Sequence, residues 1–185
     1  MERLIRPFDK TRDREASQRI WRECGWMDND NIENMDRYVD AGRSWVYELH
    51  GEPECMVLMA DAEIKYLDET LPLCAVTGVT TSHIGRKQGL AGKVVAHALA
   101  QEALSGKVVS MLGMFEQGFY NRLGFGVGNY VHRWQFDPSD LNPGVRYRAP
   151  IRIDPKDFEE AHASRLQRMS QHGQVNLQNE DLTRY

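Results

Sequence analysis

Apolar and polar positions in the N-terminal part of the chain alternate between strand spacing and helix spacing. The run RLIRP predicts a short first strand that ends at Pro7, and apolar residues then recur at helical spacing from about Arg12 to Cys24. A turn rich in Asp and Asn follows, with a second short helix predicted to end near Gly42. The runs SWVYEL and ECMVLMA predict two antiparallel strands joined by a hairpin-type connection, HGEP.

The middle of the chain combines a strongly apolar strand with a long helix. A polar loop, IKYLDETLP, is expected before the run LCAVTGVTT, which is apolar on both faces and predicts a strand at the centre of a sheet. The next segment predicts a helix that closes at Ser105-Gly106. Its apolar stripe consists of Leu90, Val94, Val95, Leu99 and Ala103. KVVSMLGMF then predicts a strand, QGFYNRLGFG a short helix ended by Gly124, and NYVHRWQFD a further strand.

A change in composition divides the chain. At 185 residues it is expected to hold one main domain with a short appendage, since single domains most often run to roughly 100–150 residues. Proline and charge become frequent at PSDLNPG, so we predict a main domain over residues 1–136, a linker over 137–150 and an extension over 151–185. The order of elements predicts a mixed α/β (α+β) sheet flanked by helices. The extension predicts a strand, then a helix with Phe158, Ala161, Leu166 and Met169 inward.

Charge, cysteine content and hydropathy exclude further classes of protein. A net charge of -4 argues against nucleic acid as a partner, because phosphate backbones are bound by concentrated Lys and Arg, and it mildly favours a polyamine or other cationic substrate. Cys24, Cys55 and Cys74 form no C-x-x-C pair, so neither a disulfide framework nor a metal site is indicated. The charged N-terminus and the lack of a long apolar run predict a cytoplasmic protein without membrane contact.

One stretch, TGVTTSHIGRKQGLAGKVV at residues 77–95, passes from strand to helix through a basic, glycine-rich turn. A helix N-terminus presents unpaired N–H groups and partial positive charge, so it favours an anion. Gly89 lets the backbone approach a ligand closely, and Arg86 and Lys87 add charge. Since nothing acidic lies between Glu69 and Glu102, the stretch predicts a diphosphate site. The alternative is an ordinary tight turn between a strand and a helix.

These residues carry a resemblance. Val79-Thr80-Thr81 leading into Arg86-Lys87-Gln88-Gly89-Leu90-Ala91 is similar to the acetyl-CoA loop of the Gcn5-related N-acetyltransferases (GNAT). EQGFYNRLGFG, residues 116–126, resembles the second cofactor element of that family. The string E-x-x-x-Y-x-R-x-G-F-G and the N-terminal Arg-Pro resemble the branch of the enhanced intracellular survival acetyltransferases. The resemblance covers residues 1–136 and implies a GNAT-like fold that binds acetyl-CoA.

The resemblance also implies roles for residues. The cofactor-binding set is Val79, Thr80, Thr81, Arg86, Lys87, Gln88, Gly89, Leu90, Ala91 and Gly92. Tyr120 occupies the tyrosine position of the family, where it would protonate the departing thiolate, and a backbone N–H at the end of the preceding strand would polarise the carbonyl. Glu116 is the second catalytic candidate, although it could serve only to orient the loop or the cofactor.

The general base is not identified, because the strand Cys74–Thr80 carries no acid. Asp28, Asp30 and Glu33 fall in the region that usually borders the acceptor pocket of this family, but an ordinary solvated face is the favoured explanation for them. His83 is expected to be exposed and His97 to lie at the surface. Cys74 is expected to be an inert core thiol, and Trp26, Trp45 and Trp134 are expected to be core or pocket-wall aromatics.

Two functions from different classes follow. The first is an N-acetyltransferase that moves an acetyl group from acetyl-CoA to a small-molecule or peptide amine by direct transfer in a ternary complex. The alternative is a catalytically silent acyl-CoA-binding module, or half of a larger two-domain enzyme, because PIRIDPKDFEEAHASRLQRM resembles the opening of a second GNAT-like domain. A plain nucleotide-phosphate binder is a third reading. The acceptor and the oligomeric state, a homo-oligomer included, stay open.

Overall fold

A computed structural model of the chain describes residues 4–28, 30–114, 116–128, 133–142, 144–146, 149–168 and 171–184. Within these ranges six strands and six α-helices follow one another along the chain. They are β1 Leu4–Pro7, α1 Arg14–Glu23, α2 Ile32–Asp40, β2 Arg43–Leu49, β3 Glu52–Tyr66, β4 Glu69–Thr81, α3 Leu90–Leu104, β5 Val109–Met111, α4 Gln117–Asn121, α5 Phe158–Leu166, β6 Val175–Leu177 and α6 Asp181–Arg184. Short 3₁₀ turns lie at Pro138–Asp140 and Pro155–Asp157.

The strands form one mixed sheet in the order β1-β2-β3-β4-β5. Neighbouring strands are antiparallel except β4 and β5, which are parallel and joined through α3. The long strand β3 has β4 on one edge and both β2 and β6 on the other: β2 pairs with β3 as far as Met59, and β6 pairs with Ala62–Ile64. The mixed α/β sheet expected from the sequence is confirmed, with β4 in its interior.

Helices cover both faces of the sheet and enclose two groups of buried side chains. On one face α3 packs Val94, Val95 and Ala98 against residues of β3 and β4 such as Val57 and Val76. On the other face α1 and α2 pack against β2 and β3. This second group contains Ile20, Trp21, Met27, Met35, Val39, Val46 and Met56. Alternate residues of a strand point to opposite faces, so the continuous apolar run of β3 supplies both groups.

The prediction of a polar loop at residues 64–72 is wrong. These residues continue β3 and β4, which pair from Cys55↔Thr81 to Tyr66↔Glu69, and Leu67 takes a φ of 51° in the turn between them. Backbone pairing does not require apolar side chains, and this end of the hairpin carries exposed residues such as Glu63 and Tyr66. The polar side chains of residues 64–72 therefore predicted a loop where the backbone continues two paired strands.

Differences also occur toward the C-terminus. The strand expected at the start of the extension is absent: the described residues 149–153 have no regular structure, and Ile151 is 79% exposed. The strand of the extension lies later, at β6, while α5 matches the expected helix; Met169 lies outside the described residues. In NYVHRWQFD, residues 133–137 are not a strand and residues 129–132 lie outside the described ranges. The strand expected from KVVSMLGMF is limited to β5.

The stripe predicted for α3 is shifted by one position at its C-terminal end. Ala98 and Glu102 are buried, whereas Ala103 is exposed. The reason is Arg43 in β2, whose guanidinium binds the carboxylate of Glu102 at 2.6 Å. Among the helices that the structure describes, none has the length and apolar character needed to cross a membrane.

Candidate active site

The site begins where β4 and β5 separate. The two strands pair only from Leu73↔Val109 to Ala75↔Met111, and β4 then continues alone to Thr81 on that side within the described residues. A register shift against β3 accompanies this separation, and Gly78 adopts a φ of 57° there. A Cβ at Gly78 would lie 3.2 Å from the ring of Trp21. The bulge thus needs glycine, and it leaves residues 76–79 of β4 beside an open cavity.

The loop after β4 leads into a helix start without a side-chain cap. Gly89 is the N-cap of α3 with a φ of 73°, and Lys87 also has a positive φ, 60°. The helix ladder begins with the N–H of Lys93, which donates to the carbonyl of Gly89 at 3.3 Å. The amides of Leu90, Ala91 and Gly92 thus lack partners in the preceding turn, as at any helix start, and the first turn has no acidic residue among the described ones.

The side chains of this loop divide into core and surface. Leu90 is buried in the core beneath α3, so only its backbone is open to a ligand. Arg86, Lys87 and Gln88 are exposed; Arg86 donates to the carbonyl of Glu23 at 3.4 Å, and Gln88 donates to the carbonyl of Ile84 at 2.7 Å. Positive charge therefore borders the bare amides.

Small residues leave room at the helix start. A Cβ added at Gly89 would meet no atom within 4 Å. At Gly92 it would meet Leu123 of the loop after α4 at 3.9 Å, and Ala91 adds only a methyl group. The backbone of the first turn is therefore accessible to a bulky anion. The ten residues expected to bind a cofactor lie on two adjoining segments, the end of β4 and the start of α3.

Tyr120 and Glu116 lie on and beside α4. Glu116 is its N-cap: the carboxylate accepts hydrogen bonds from the N–H groups of Gly118 at 2.9 Å and Phe119 at 2.6 Å. Tyr120 is half-buried, with edge contacts to Phe119 and Phe125 at centroid distances of 4.9 and 5.9 Å. Burial raises the pKa of the Tyr120 phenol above its usual value. Glu116 thus builds the helix that holds Tyr120.

Tyr120 lines a cavity of about 510 Å³ at the divergence of β4 and β5. Its other walls are Trp21, Trp26, Met35, Tyr38, Val76, Thr77, Gly78, Val79 and Gly113. The hydroxyl of Tyr38 is 2.6 Å from Oγ1 of Thr77, so this contact connects α2 to β4 beside the cavity. Sequence reasoning missed Tyr38, Met35 and Gly113 as wall residues. The helical spacing of Met35 and Tyr38 was visible, but nothing local indicated which strand α2 would cover.

The remaining acidic and histidine candidates lie away from this wall. Asp28 accepts hydrogen bonds from the backbone of Asp30 and Asn31 and so shapes its own loop. Glu33 pairs with Arg37 along α2. His83 is exposed, as expected, with Nδ1 3.7 Å from a carboxylate oxygen of Glu23. None of these side chains is among the residues that line the cavity.

The tryptophan and cysteine predictions have mixed outcomes. Trp26 is a wall of the cavity, and Trp45 packs on His97, which is partly covered rather than at the surface. Trp134, expected in the core or a pocket wall, is 84% exposed, so that prediction is wrong. Cys74 is buried as predicted, and burial raises the pKa of its thiol to about 12.

A strand that separates from its neighbour beside an uncapped helix, with a tyrosine-bearing helix across the cavity, is the arrangement of a GNAT acetyltransferase fold. The family model described as the acetyltransferase (GNAT) domain matches residues 5–128, and the chain belongs to this family. An uncharacterized N-acetyltransferase from Streptomyces avermitilis is 31% identical over 94 residues. That match covers 49% of this chain and 22% of the relative.

Solved structures share the fold. A probable N-acyltransferase from Enterococcus faecalis superposes with a TM-score of 0.61 at 14% identity, covering 67% of this chain and 32% of that chain. A predicted acetyltransferase from Clostridium acetobutylicum, solved with acetyl-CoA, gives a TM-score of 0.60 at 15% identity, covering 72% of this chain and 96% of that chain. GNAT neighbours of this chain are thus known with the cofactor bound, and the likeness establishes the fold.

Proposed function

We propose that the protein is an acetyl-CoA-dependent N-acetyltransferase that moves an acetyl group directly to an amine in a ternary complex. The observation that carries this function is the continuity of three features: the unpaired edge of β4, the bare first turn of α3, and the cavity that contains Tyr120. The particular closeness to the enhanced intracellular survival branch stays a prediction.

The residues present fit coenzyme A. The amides of Gly89, Leu90, Ala91 and Gly92 would hold the pyrophosphate, because helix-start N–H groups favour anions. Arg86 and Lys87 are exposed beside them and would add charge, while Gln88 braces the loop. The backbone of Val79, Thr80 and Thr81 would bind the pantetheine arm, since β5 does not pair with this part of β4. When bound, acetyl-CoA supplies the activated acetyl thioester.

The chemistry assigned to this chain's own residues is modest. Tyr120 would donate its phenolic proton to the departing thiolate, a step for which a positioned acid contributes about 10²–10⁴-fold. A backbone N–H near the bulge at Gly78 and Val79 would polarise the carbonyl oxygen. We assign Glu116 to orienting α4, because both of its carboxylate oxygens accept backbone hydrogen bonds. The acceptor would attack as a neutral amine, so the C–N bond forms, the C–S bond breaks, and the surplus proton on nitrogen passes to solvent.

Two glycines at opposite ends of α3 provide the test. Gly89 and Gly106 have φ values of +73° and +97°, and a Cβ at either would meet no atom within 4 Å. Alanine at each position therefore carries a similar strain, about 1–2 kcal/mol for a left-handed residue. Only Gly89 lies at the proposed phosphate site. Calorimetric titration with coenzyme A should show affinity reduced about tenfold or more in Gly89→Ala and unchanged in Gly106→Ala.

The outcomes separate the candidate functions. Equal effects of the two alanines, or no affinity of the unaltered chain for coenzyme A, would contradict the proposal. Binding of coenzyme A without thiol release from acetyl-CoA in the presence of polyamines, amino acids or amino-terminal peptides would instead identify the silent acyl-CoA-binding module. A thermal midpoint that rises with millimolar ATP but not with coenzyme A would favour a general nucleotide-phosphate binder.

A further inference from the structure

A second cavity adjoins the first on the side of the C-terminal segment. Its volume is about 380 Å³, and it shares Tyr38, Val76, Thr77 and Gly113 with the cavity that contains Tyr120. The far wall comes from α5, β6 and α6, which contribute Arg165, Val175, Leu177 and Leu182. The two cavities thus adjoin at these four residues, with the Tyr120 phenol in the first and the C-terminal segment bordering the second.

Among the described residues that line the two cavities, Arg165 is the one charged side chain. Its Nη2 donates to the carbonyl of Leu177 at 2.5 Å and to Nδ1 of His162 at 3.1 Å. Its Nε is buried and has no hydrogen-bond partner. In the described part of the chain, no Asp or Glu side chain forms an ion pair with Arg165. A half-buried guanidinium without a carboxylate is unusual, because desolvated charges are normally paired.

His162 holds this guanidinium in place. The side chain is buried, and its Nε2 is 3.1 Å from the carbonyl of Gln178, so the ring proton belongs on Nε2. Nδ1 is then an acceptor, and it receives Arg165 and, at 2.7 Å, the hydroxyl of Thr183. The arginine is therefore fixed by α5, β6 and the start of α6, and its orientation does not depend on an acidic partner.

The charge of the residues that line the two cavities indicates the chemical class of the acceptor. Neither cavity has an Asp or Glu among its described lining residues. A polyamine would therefore leave its second cation in a desolvated space next to Arg165, without a counter-charge. An anionic group would instead receive a charge-assisted hydrogen bond from Nη1 of Arg165, since Nη2 is engaged and Nε is buried. The apolar residues between the two ends suit an uncharged body.

We infer that the acceptor is an amine that also carries an anionic group, with Arg165 as the residue that binds the anion and His162 as a positioning residue. The amine would enter the cavity that contains Tyr120, and the apolar body would lie between Tyr38 and Leu182. This inference rests on the proposed function and narrows its substrate class. It also reverses the mild preference for a cationic substrate that net charge alone suggested.

Matched acceptors test the inference. Rates of thiol release from acetyl-CoA are measured with phenylalanine against phenethylamine, 6-aminohexanoate against hexylamine, phosphoethanolamine against ethanolamine, and spermidine. We expect at least one acceptor that carries an anionic group to exceed both its partner without that group and spermidine at least tenfold in kcat/KM. A preference confined to phosphoethanolamine identifies a phosphate, and a preference for the amino acids identifies a carboxylate.

Variants then assign the effect to Arg165. Arg165→Gln should lower kcat/KM for the preferred anionic acceptor at least tenfold, mainly through KM. It should leave kcat/KM unchanged for the partner that lacks the anionic group. Arg165→Lys should recover part of the loss. The matched control is Arg168→Gln, since Arg168 is exposed and lies just beyond the end of α5. Affinity for coenzyme A should be the same in all of these proteins.

Several results would overturn the inference. They are an equal loss for acceptors with and without the anionic group in both Arg165→Gln and Arg165→Lys, a preference for spermidine, or no turnover of any anionic acceptor by a chain that binds coenzyme A. Loss of both kinds of acceptor in Arg165→Gln alone, with the anionic preference kept in Arg165→Lys, would show that glutamine loosens the C-terminal segment and would support the inference. Absence of coenzyme A binding in the unaltered chain would refute the proposed function itself and is a distinct result.

Discussion

Tyr120 shows how one side chain acquires its chemistry from packing. Edge contacts with Phe119 and Phe125 hold the ring, and Glu116 fixes the short helix that carries it. Burial raises the pKa of the phenol above its ordinary value of about 10. The hydroxyl therefore keeps its proton over the neutral range, and a proton donor to a thiolate requires that state.

Replacement of this hydroxyl is the first prediction. Tyr120→Phe should lower kcat at least tenfold with unchanged affinity for coenzyme A, because only the proposed proton donor is removed. The control is Tyr66→Phe, which removes the hydroxyl of an exposed tyrosine at the far end of β3 and should change kcat less than threefold. Steady-state rates and calorimetry measure both effects. Similar kcat values for Tyr120→Phe and the unaltered chain would end its assignment as the acid.

The pH dependence of kcat follows from the same shift. An acid acts only while protonated, so activity is lost as pH rises through its pKa. Since burial raises the pKa of Tyr120, kcat should show no decline from this group until pH exceeds about 10. A decline near neutral pH on the alkaline side that disappears in Tyr120→Phe would contradict the assigned protonation state.

At the scale of elements, one arginine connects three of them. Arg43 in β2 binds Glu102 of α3 at 2.6 Å and Asp61 of β3 at 2.6 Å, and Lys107 also binds Asp61, at 2.5 Å. Glu102 is buried, while Asp61 is partly exposed. Arg43 and Lys107 lower the pKa of Asp61 to about 2. The arginine therefore determines how the end of α3 is seated on the sheet.

Removal of the Arg43 guanidinium should lower the stability of the folded protein. Arg43→Met leaves the buried carboxylate of Glu102 unpaired, which should reduce the free energy of unfolding by about 3–5 kcal/mol in urea titrations at pH 7. The double variant Arg43→Met with Glu102→Met should recover most of that loss, because it removes the stranded charge. A double variant as unstable as the single one would show that packing, and not charge, dominates here.

The dependence of unfolding free energy on acid pH tests the ion pairs that Asp61 forms with Arg43 and Lys107. Because the folded pKa of Asp61 lies below its unfolded value, this group contributes stability above about pH 4. That contribution should be lost as pH falls from about 4 toward 2. In Arg43→Met the dependence of unfolding free energy on pH over this window should be shallower.

At the scale of the whole molecule, the C-terminal segment is attached to the sheet. β6 extends the uncovered edge of β3, with the N–H of Gln178 donating to the carbonyl of Asp61 at 3.0 Å. The side-chain amide of Asn179 donates to the carbonyl of Ala41 at 2.6 Å, which connects the segment to the end of α2. The division at residues 137–150 stays a prediction, but β6, Val175–Leu177, shares the sheet of the family domain.

Hydrogen exchange measures this attachment. Peptides that cover β6 and Gln178 should be protected to an extent comparable with the β3–β4 hairpin at Lys65, which receives the N–H of Gly173 at 2.7 Å. Peptides over residues 149–153, which lack regular structure, should exchange rapidly. Rapid exchange of residues 173–178 in the unaltered chain would show that the segment is detached in solution and would remove the far wall of the second cavity.

The elements that the sequence predicted well are those set by local pattern. The helix periods of α1 and α3, the apolar runs of β3 and β4, and the sharp turn at Gly89 each need only neighbours in sequence. The extension of β3 beyond Asp61, the position of β6 and the burial of Glu102 depend on partners distant in the chain. No local period indicates such partners, which is why these features were missed.

The sequence by itself determined the strand-to-helix loop and the tyrosine element, because backbone φ, charge and glycine content are local properties of residues 77–95 and 116–126. Only the tertiary structure decided that Arg165 lines a cavity adjoining the one that contains Tyr120, with Tyr38 in the walls of both. These cavities exist because β4 separates from β5 and β6 adds to β3. Pairings between distant strands, and not composition, therefore set the charge of the residues that line them.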